Sequence, residues 1–148
     1  MRQILLLNGP NLGTLGIREP EIYGTTTLAE IEQQVRDRLA EVGFGLVCAQ
    51  HDAEADLMRE LREHATTSGV ILNPGALMMA GWSLRDALAS YPAPWIEVHL
   101  SNVWARESFR HTSVLAPLAA GVIAGLGAQG YLLAADALVE RLIDRETP

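Results

Sequence analysis

Five short apolar runs punctuate the chain, at residues 4–7, 46–49, 70–72, 95–100 and 121–124. Runs of this length without alternation read as strands buried on both faces. The segments between them carry a different period. Leu28, Ile31, Val35, Leu39 and Val42 recur at helical spacing, Thr27 and Glu30 have the form of a capping box, and Gly43 supplies a stop. Leu57, Leu61 and Ala65 mark a second helix, residues 84–88 a shorter third, and Tyr131, Ala135, Leu138 and Leu142 a C-terminal one. Strand and helix therefore alternate. The pattern predicts an α/β three-layer sandwich: a five-stranded parallel sheet, helices on both faces, right-handed crossovers, and ligands at the carboxyl ends of the strands. Functional residues are expected just after the apolar runs. The longest stretch without periodicity, residues 9–26, has the length of a lid.

Composition narrows the picture. A chain of 148 residues, 49% hydrophobic, supports one core and is too short for two ordinary domains, so residues 1–148 are expected to form a single domain. A net charge of -7 would repel nucleic acid and an anionic membrane surface, so neither is expected as a partner. The lone Cys48 cannot form an internal disulfide, and the apolar run after Met1-Arg2-Gln3 is too short for a signal segment or a membrane span. Both features predict a cytoplasmic protein.

Candidate chemistry follows the strands. After the first come two amides, Asn8 and Asn11, and then a loop with Arg18 and Tyr23. Asn-Gly-Pro is also ordinary turn chemistry. A phenol on a loop beside an arginine is harder to dismiss, because a neighbouring cation favours the phenolate, a base. The third run ends in Asn73-Pro74-Gly75-Ala76, either a simple turn or a set of backbone amides suited to an anion. In the fourth, alternation puts Glu97 and His99 on one side of the strand, where a carboxylate can orient an imidazole for general-acid work, although a strand histidine is often only a core residue. Arg106 and Arg110, four apart, would share a face if that stretch were helical. The four histidines show no metal-ligand spacing, so no metal is expected, and no dinucleotide or phosphate-loop motif is present. Ser101 and Ser113 lack a nucleophile elbow.

Taken in order, LNGPNL from Leu7, REPEIYG from Arg18, NPG from Asn73, LRDA from Leu84, IEVHLSNVWARESFRH from Ile96 and GVIAGLGAQGYLLA from Gly121 resemble the type II 3-dehydroquinate dehydratases. The resemblance implies a flavodoxin-like fold, a homo-dodecamer of four trimers, and cofactor-free dehydration of 3-dehydroquinate, a cyclic hydroxy-keto acid, in shikimate or quinate metabolism. It implies that Tyr23 is the base, with Arg18 and Arg106 favouring its phenolate, and that Asn11 holds an enolate-stabilising water. His99, held by Glu97, would be the acid. Asn73 with the amides of Leu100 and Ser101 would clamp the substrate carboxylate, Arg110 would bind ring hydroxyls, and Asp86 would reach a neighbouring subunit's site.

Two positions depart from the family pattern. Met79 stands where the family carries a histidine that binds a substrate hydroxyl, and methionine cannot donate a hydrogen bond. Trp104 stands where a histidine is common. Either the family reaction is kept with compensation elsewhere, or the substrate is a related cyclic β-hydroxy ketone; a non-catalytic ligand-binding protein on the same fold is the third reading.

Overall fold

The computed structural model describes residues 1–146. Its five strands are β1 (Arg2–Asn8), β2 (Phe44–Gln50), β3 (Gly69–Asn73), β4 (Trp95–His99) and β5 (Gly121–Ala124). All neighbouring pairs are parallel and the order across the sheet is β2-β1-β3-β4-β5, the flavodoxin-like doubly wound order. The helices are α1 (Pro20–Tyr23), α2 (Leu28–Ala40), α3 (Glu54–Glu63), α4 (Leu77–Ala80), α5 (Trp82–Ala89) and α6 (Gln129–Asp144).

Alternation along the central strands sorts the core into two halves. Ile4, Leu6, Ile71, Ile96 and Val98 pack with Ile31, Val35 and Leu39 of α2 and with Tyr131, Ala135 and Leu138 of α6. Leu5, Leu7, Val70, Leu72 and Trp95 pack with Leu57 and Leu61 of α3 and Leu84 and Leu88 of α5. The register pairs Asn8 of β1 with both Gln50 of β2 and Asn73 of β3, so three polar side chains arrive together at the carboxyl edge of the sheet. The expected capping box supplies one bond, from Glu30 N–H to Thr27 Oγ1 at 3.2 Å, and Gly43 follows α2 at a φ of 81°.

Several expectations need correction. Burial on both faces holds for β1, β3 and β4, but β2 and β5 are only half-buried, with Val122 exposed. Each of these outer strands has a neighbour on one side only and lies at the margin of both helical layers. Val42 lies beyond the end of α2 and is exposed, and Ala65 likewise lies beyond α3. The helices α1 and α4, four residues each, fall in segments where no period could be read, because four residues cannot repeat a pattern.

Cys48 on β2 illustrates the inner environment of an outer strand. Burial, reinforced by the charge of Glu32 and opposed by Arg36, pushes its thiol up to about 11. Since only the thiolate reacts, iodoacetamide at pH 8 should label native Cys48 roughly a hundredfold more slowly than an ordinary thiol. Labelling at the ordinary rate in the folded protein would contradict this placement.

Candidate active site

The loops following β1, β3 and β4 enclose a cavity of about 240 Å³ lined, among others, by Asn11, Arg18, Tyr23, Asn73, His99, Leu100, Ser101, Arg106 and Arg110. Three guanidinium groups and no carboxylate line it, on a chain whose net charge is -7. Such a cavity attracts a small anion.

His99 closes β4, and its Nε2 lies 2.8 Å from Glu97 Oε2. Glu97 is wholly buried, and its other oxygen accepts a hydrogen bond from Ser113 Oγ at 2.9 Å. Ser113 Oγ in turn accepts from the amides of Leu115 and Ala116, at 3.2 and 3.0 Å. With the carboxylate ionised and acceptor-only, Nε2 carries the hydrogen, which leaves Nδ1 without a protein partner among the described residues. A buried carboxylate bonded on both oxygens is a stable orienting group for an imidazole.

Tyr23 ends α1 on the long loop, followed by Gly24 at a φ of 84°, a conformation that favours glycine. Arg106 Nη1 donates to Tyr23 Oη at 3.0 Å and lies 3.3 Å from Ser101 Oγ. The guanidinium carbons of Arg18 and Arg106 stand 5.1 and 5.3 Å from the centre of the phenol ring. Two cations therefore flank the ring, and one of them donates a hydrogen bond to its oxygen. Arg106 follows one 3-10 turn (Val103–Ala105) and Arg110 ends another (Ser108–Arg110), so the two do not share an α-helix, yet both reach the cavity. Between them, Glu107 bonds Arg110 Nε at 2.8 Å, and its carboxyl is held below the ordinary range by its own backbone N–H and then by Arg110.

Asn11 adopts a left-handed backbone with φ 69°. Its N–H donates to Asp52 Oδ1 at 3.0 Å, and Gln50 Nε2 bonds both Asp52 Oδ1 and Gly9 O at 3.1 Å. The end of β2 thus fastens the loop after β1. A Cβ on Gly9 would stand 2.7 Å from Pro74 O, so glycine is required where the loops after β1 and β3 meet.

Asn73 lines the cavity, and several backbone amides beside it are already used. Gly75 N–H donates to Asn73 Oδ1 at 3.1 Å, and those of Leu77, Met78 and Met79 bond to Pro74, Gly75 and Ala76 carbonyls. Met79 does not line this cavity; Met78 does. Successive side chains on a helix such as α4 diverge by about 100°, so adjacent methionines face different surroundings. Asp86 is exposed and borders a separate groove of about 470 Å³ with Met58, Arg62 and Tyr91, so the chain does not bring it to the cavity of its own site. Trp104 is exposed.

Sequence reasoning missed Gln50, Asp52, Glu107 and Met78, and it considered Ser113 only as a nucleophile. Glu107, flanked by Arg106 and Arg110, was detectable as charge patterning. Asp52 and Ser113 act across the fold, and nothing in their own segments marks them.

Fold and cavity together define a flavodoxin-like α/β protein with an arginine-lined cavity suited to a small anion. The Dehydroquinase class II model matches residues 2–139. A 3-dehydroquinate dehydratase from Anoxybacillus flavithermus is 51% identical over 141 residues, which are 95% of each chain. One from Roseiflexus castenholzii is 54% identical over 138 residues, 93% of this chain and 88% of the relative. The crystal structure of type II dehydroquinase from Propionibacterium acnes superposes with a TM-score of 0.90 at 44% identity, covering 95% of this chain and 97% of that one. The chain belongs to the class II dehydroquinase family.

Asp52 gives a pH-dependent expectation. The Asn11 N–H, followed by the Gln50 amide, holds its carboxyl below the ordinary range. Its stabilisation of the loop is complete above the ordinary carboxylate value and is lost as pH falls through the lowered one. At neutral pH, Asp52→Ala should speed hydrogen exchange at the Asn11 amide by roughly tenfold, leaving β1 amides unchanged. Unaltered exchange at Asn11 would show that the carboxylate does not hold the loop.

Proposed function

We propose that this chain dehydrates 3-dehydroquinate to 3-dehydroshikimate in the cytoplasm, a location that suits its unpaired Cys48. The observation that carries the reading is that Tyr23, bonded by Arg106, and His99, bonded by Glu97, line one cavity rich in guanidinium groups. Its family membership supports the same reaction.

Loss of water from a β-hydroxy ketone needs a base, a stabilised enolate and an acid. Tyr23 phenolate, stabilised by Arg106 and Arg18, takes the C2 proton; the C–H electron pair forms the C2–C3 double bond, and the carbonyl π pair moves onto the C3 oxygen. A water held by Asn11 donates a hydrogen bond to that enolate oxygen. As the enolate collapses, the C1–O bond breaks and His99 gives its proton to the departing hydroxyl, releasing water. Glu97 keeps the imidazole oriented and stabilises its charged form. Asn73, with the amides of Leu100 and Ser101, receives the carboxylate on C1, and Arg110 the ring hydroxyls. Each of these roles is filled by a group of the protein or by water.

Tyr23→Phe should lower kcat by about 10²- to 10⁴-fold, the usual worth of a general base, with KM little changed, followed by the enone absorbance of the product. Retention of more than a tenth of wild-type kcat would remove tyrosine from the base role.

The apolar wall made by Ala76 and Met78 favours a second reading, in which the substrate is a related cyclic β-hydroxy ketone lacking a hydroxyl at that position. On that reading wild-type turnover of 3-dehydroquinate is feeble, and Met78→His, which puts a donor on that wall, raises kcat/KM by about ten- to a hundredfold, the worth of one buried hydrogen bond. Efficient wild-type turnover without gain in the variant sinks it. For assembly, the groove bordered by the exposed Asp86 suits contact with a second copy, and a dodecamer is the proposed state. Light scattering should then give about twelve times the 16.1 kDa chain mass.

A further inference from the structure

One buried tyrosine lies outside the mechanism above. Tyr131, in the first turn of α6, has no exposed surface, and its hydroxyl sits between two strand ends. Asn73 Nδ2 donates to Tyr131 Oη at 2.8 Å, and Tyr131 Oη donates to Asn8 Oδ1 at 2.7 Å. Asn8 and Asn73 are themselves buried and paired in register on β1 and β3. The polarity of this relay is fixed at one end. Gly75 N–H can only donate, so it requires Asn73 Oδ1, which turns Nδ2 toward Tyr131. Tyr131 Oη then accepts from Asn73, and its own proton has Asn8 Oδ1 as acceptor. Flipping the Asn8 amide would aim a second donor at Tyr131 and strand the phenol proton. Burial pushes the Tyr131 phenol well above its usual range, outweighing the bond from Asn73, so the hydroxyl keeps its proton throughout the working pH range.

With Oδ1 engaged by Gly75 and one N–H by Tyr131, Asn73 retains one N–H as its remaining donor. We propose that Tyr131 is a positioning residue that, as the second anchor beside Gly75 N–H, locks the Asn73 carboxamide so that it meets the ligand with N–H rather than oxygen, favouring an anionic oxygen at that corner of the cavity. Released from Tyr131, the Asn73 amide would keep only the bond from Gly75 N–H, and the ligand would have to restrict its remaining motion, which weakens binding without touching the base or the acid. The proposal rests on the reading of Asn73 as the carboxylate ligand.

The test is a double-mutant cycle on the full chain, with Tyr131→Phe, Asn73→Ala and the double variant assayed on 3-dehydroquinate. Tyr131→Phe should raise KM about tenfold while kcat falls less than about threefold, the scale of one hydrogen bond. In the Asn73→Ala background the same change should leave KM where it was. A merely structural tyrosine would lower the melting temperature without this split between KM and kcat, and that result overturns the proposal. So does an equal KM effect in both backgrounds. If Asn73→Ala itself leaves KM unchanged, the reading of Asn73 as a ligand falls, and the proposal with it. If Asn73→Ala raises KM and Tyr131→Phe does not, only the role of Tyr131 falls. Should Tyr131→Phe not fold, a neutron crystal structure of the wild-type protein decides the matter. Deuterium on Asn73 Nδ2 directed at Tyr131, and on Tyr131 Oη directed at Asn8, supports the relay; Asn73 Oδ1 facing Tyr131 overturns it.

Discussion

The bond from Arg106 Nη1 to Tyr23 Oη, 3.0 Å long, joins the loop after β1 to the turns after β4 and gives the cavity its closing wall. The two residues lie 83 positions apart, and only a parallel sheet delivers both segments to the same edge. A phenol on a loop of this length is worth little chemically unless something holds it. Here the holding group is a cation, Arg106, whose Nη1 donates to the phenol oxygen. The same arginine reaches Ser101, two residues beyond His99, which couples the position of the loop to that of the histidine strand.

The opposite wall is built on another principle. His99 is held by Glu97, which is buried and bonded on both oxygens, and Ser113 bridges Glu97 to two backbone amides. A buried charge is costly unless each of its acceptors is satisfied, and here both oxygens are. One wall is therefore a segment tethered by a cation, and the other a rigid strand anchored from inside the core.

Much of the fold was legible in the sequence because central strands and amphipathic helices announce themselves by period: 4–7, 70–72 and 95–100 as buried runs, and Ile31, Val35 and Leu39 as a stripe. The outer strands were over-read as fully buried, because an apolar run does not say how many neighbours it has. At the site, Glu97 and His99 were legible from alternation alone, and Tyr23 with Arg18 from an aperiodic loop. Asp52, Ser113 and Tyr131 were not legible in these roles. Tyr131 fits the apolar stripe of α6, and its hydroxyl acquires a role only when the sheet register pairs Asn8 with Asn73. Adjacent Met78 and Met79 show the same limit at finer scale: position in the chain says methionine faces ligand, and only helix phase says which one.

In the proposed reaction Tyr23 and His99 grip one bound ring at once. A crystal structure with quinate, a stable ring carboxylate, tests it most directly. The account predicts a single molecule with Tyr23 Oη on one side and a ring nitrogen of His99 on the other, each within about 3.2 Å or one water of it. Quinate bound in this cavity with either residue turned away and out of reach would contradict it.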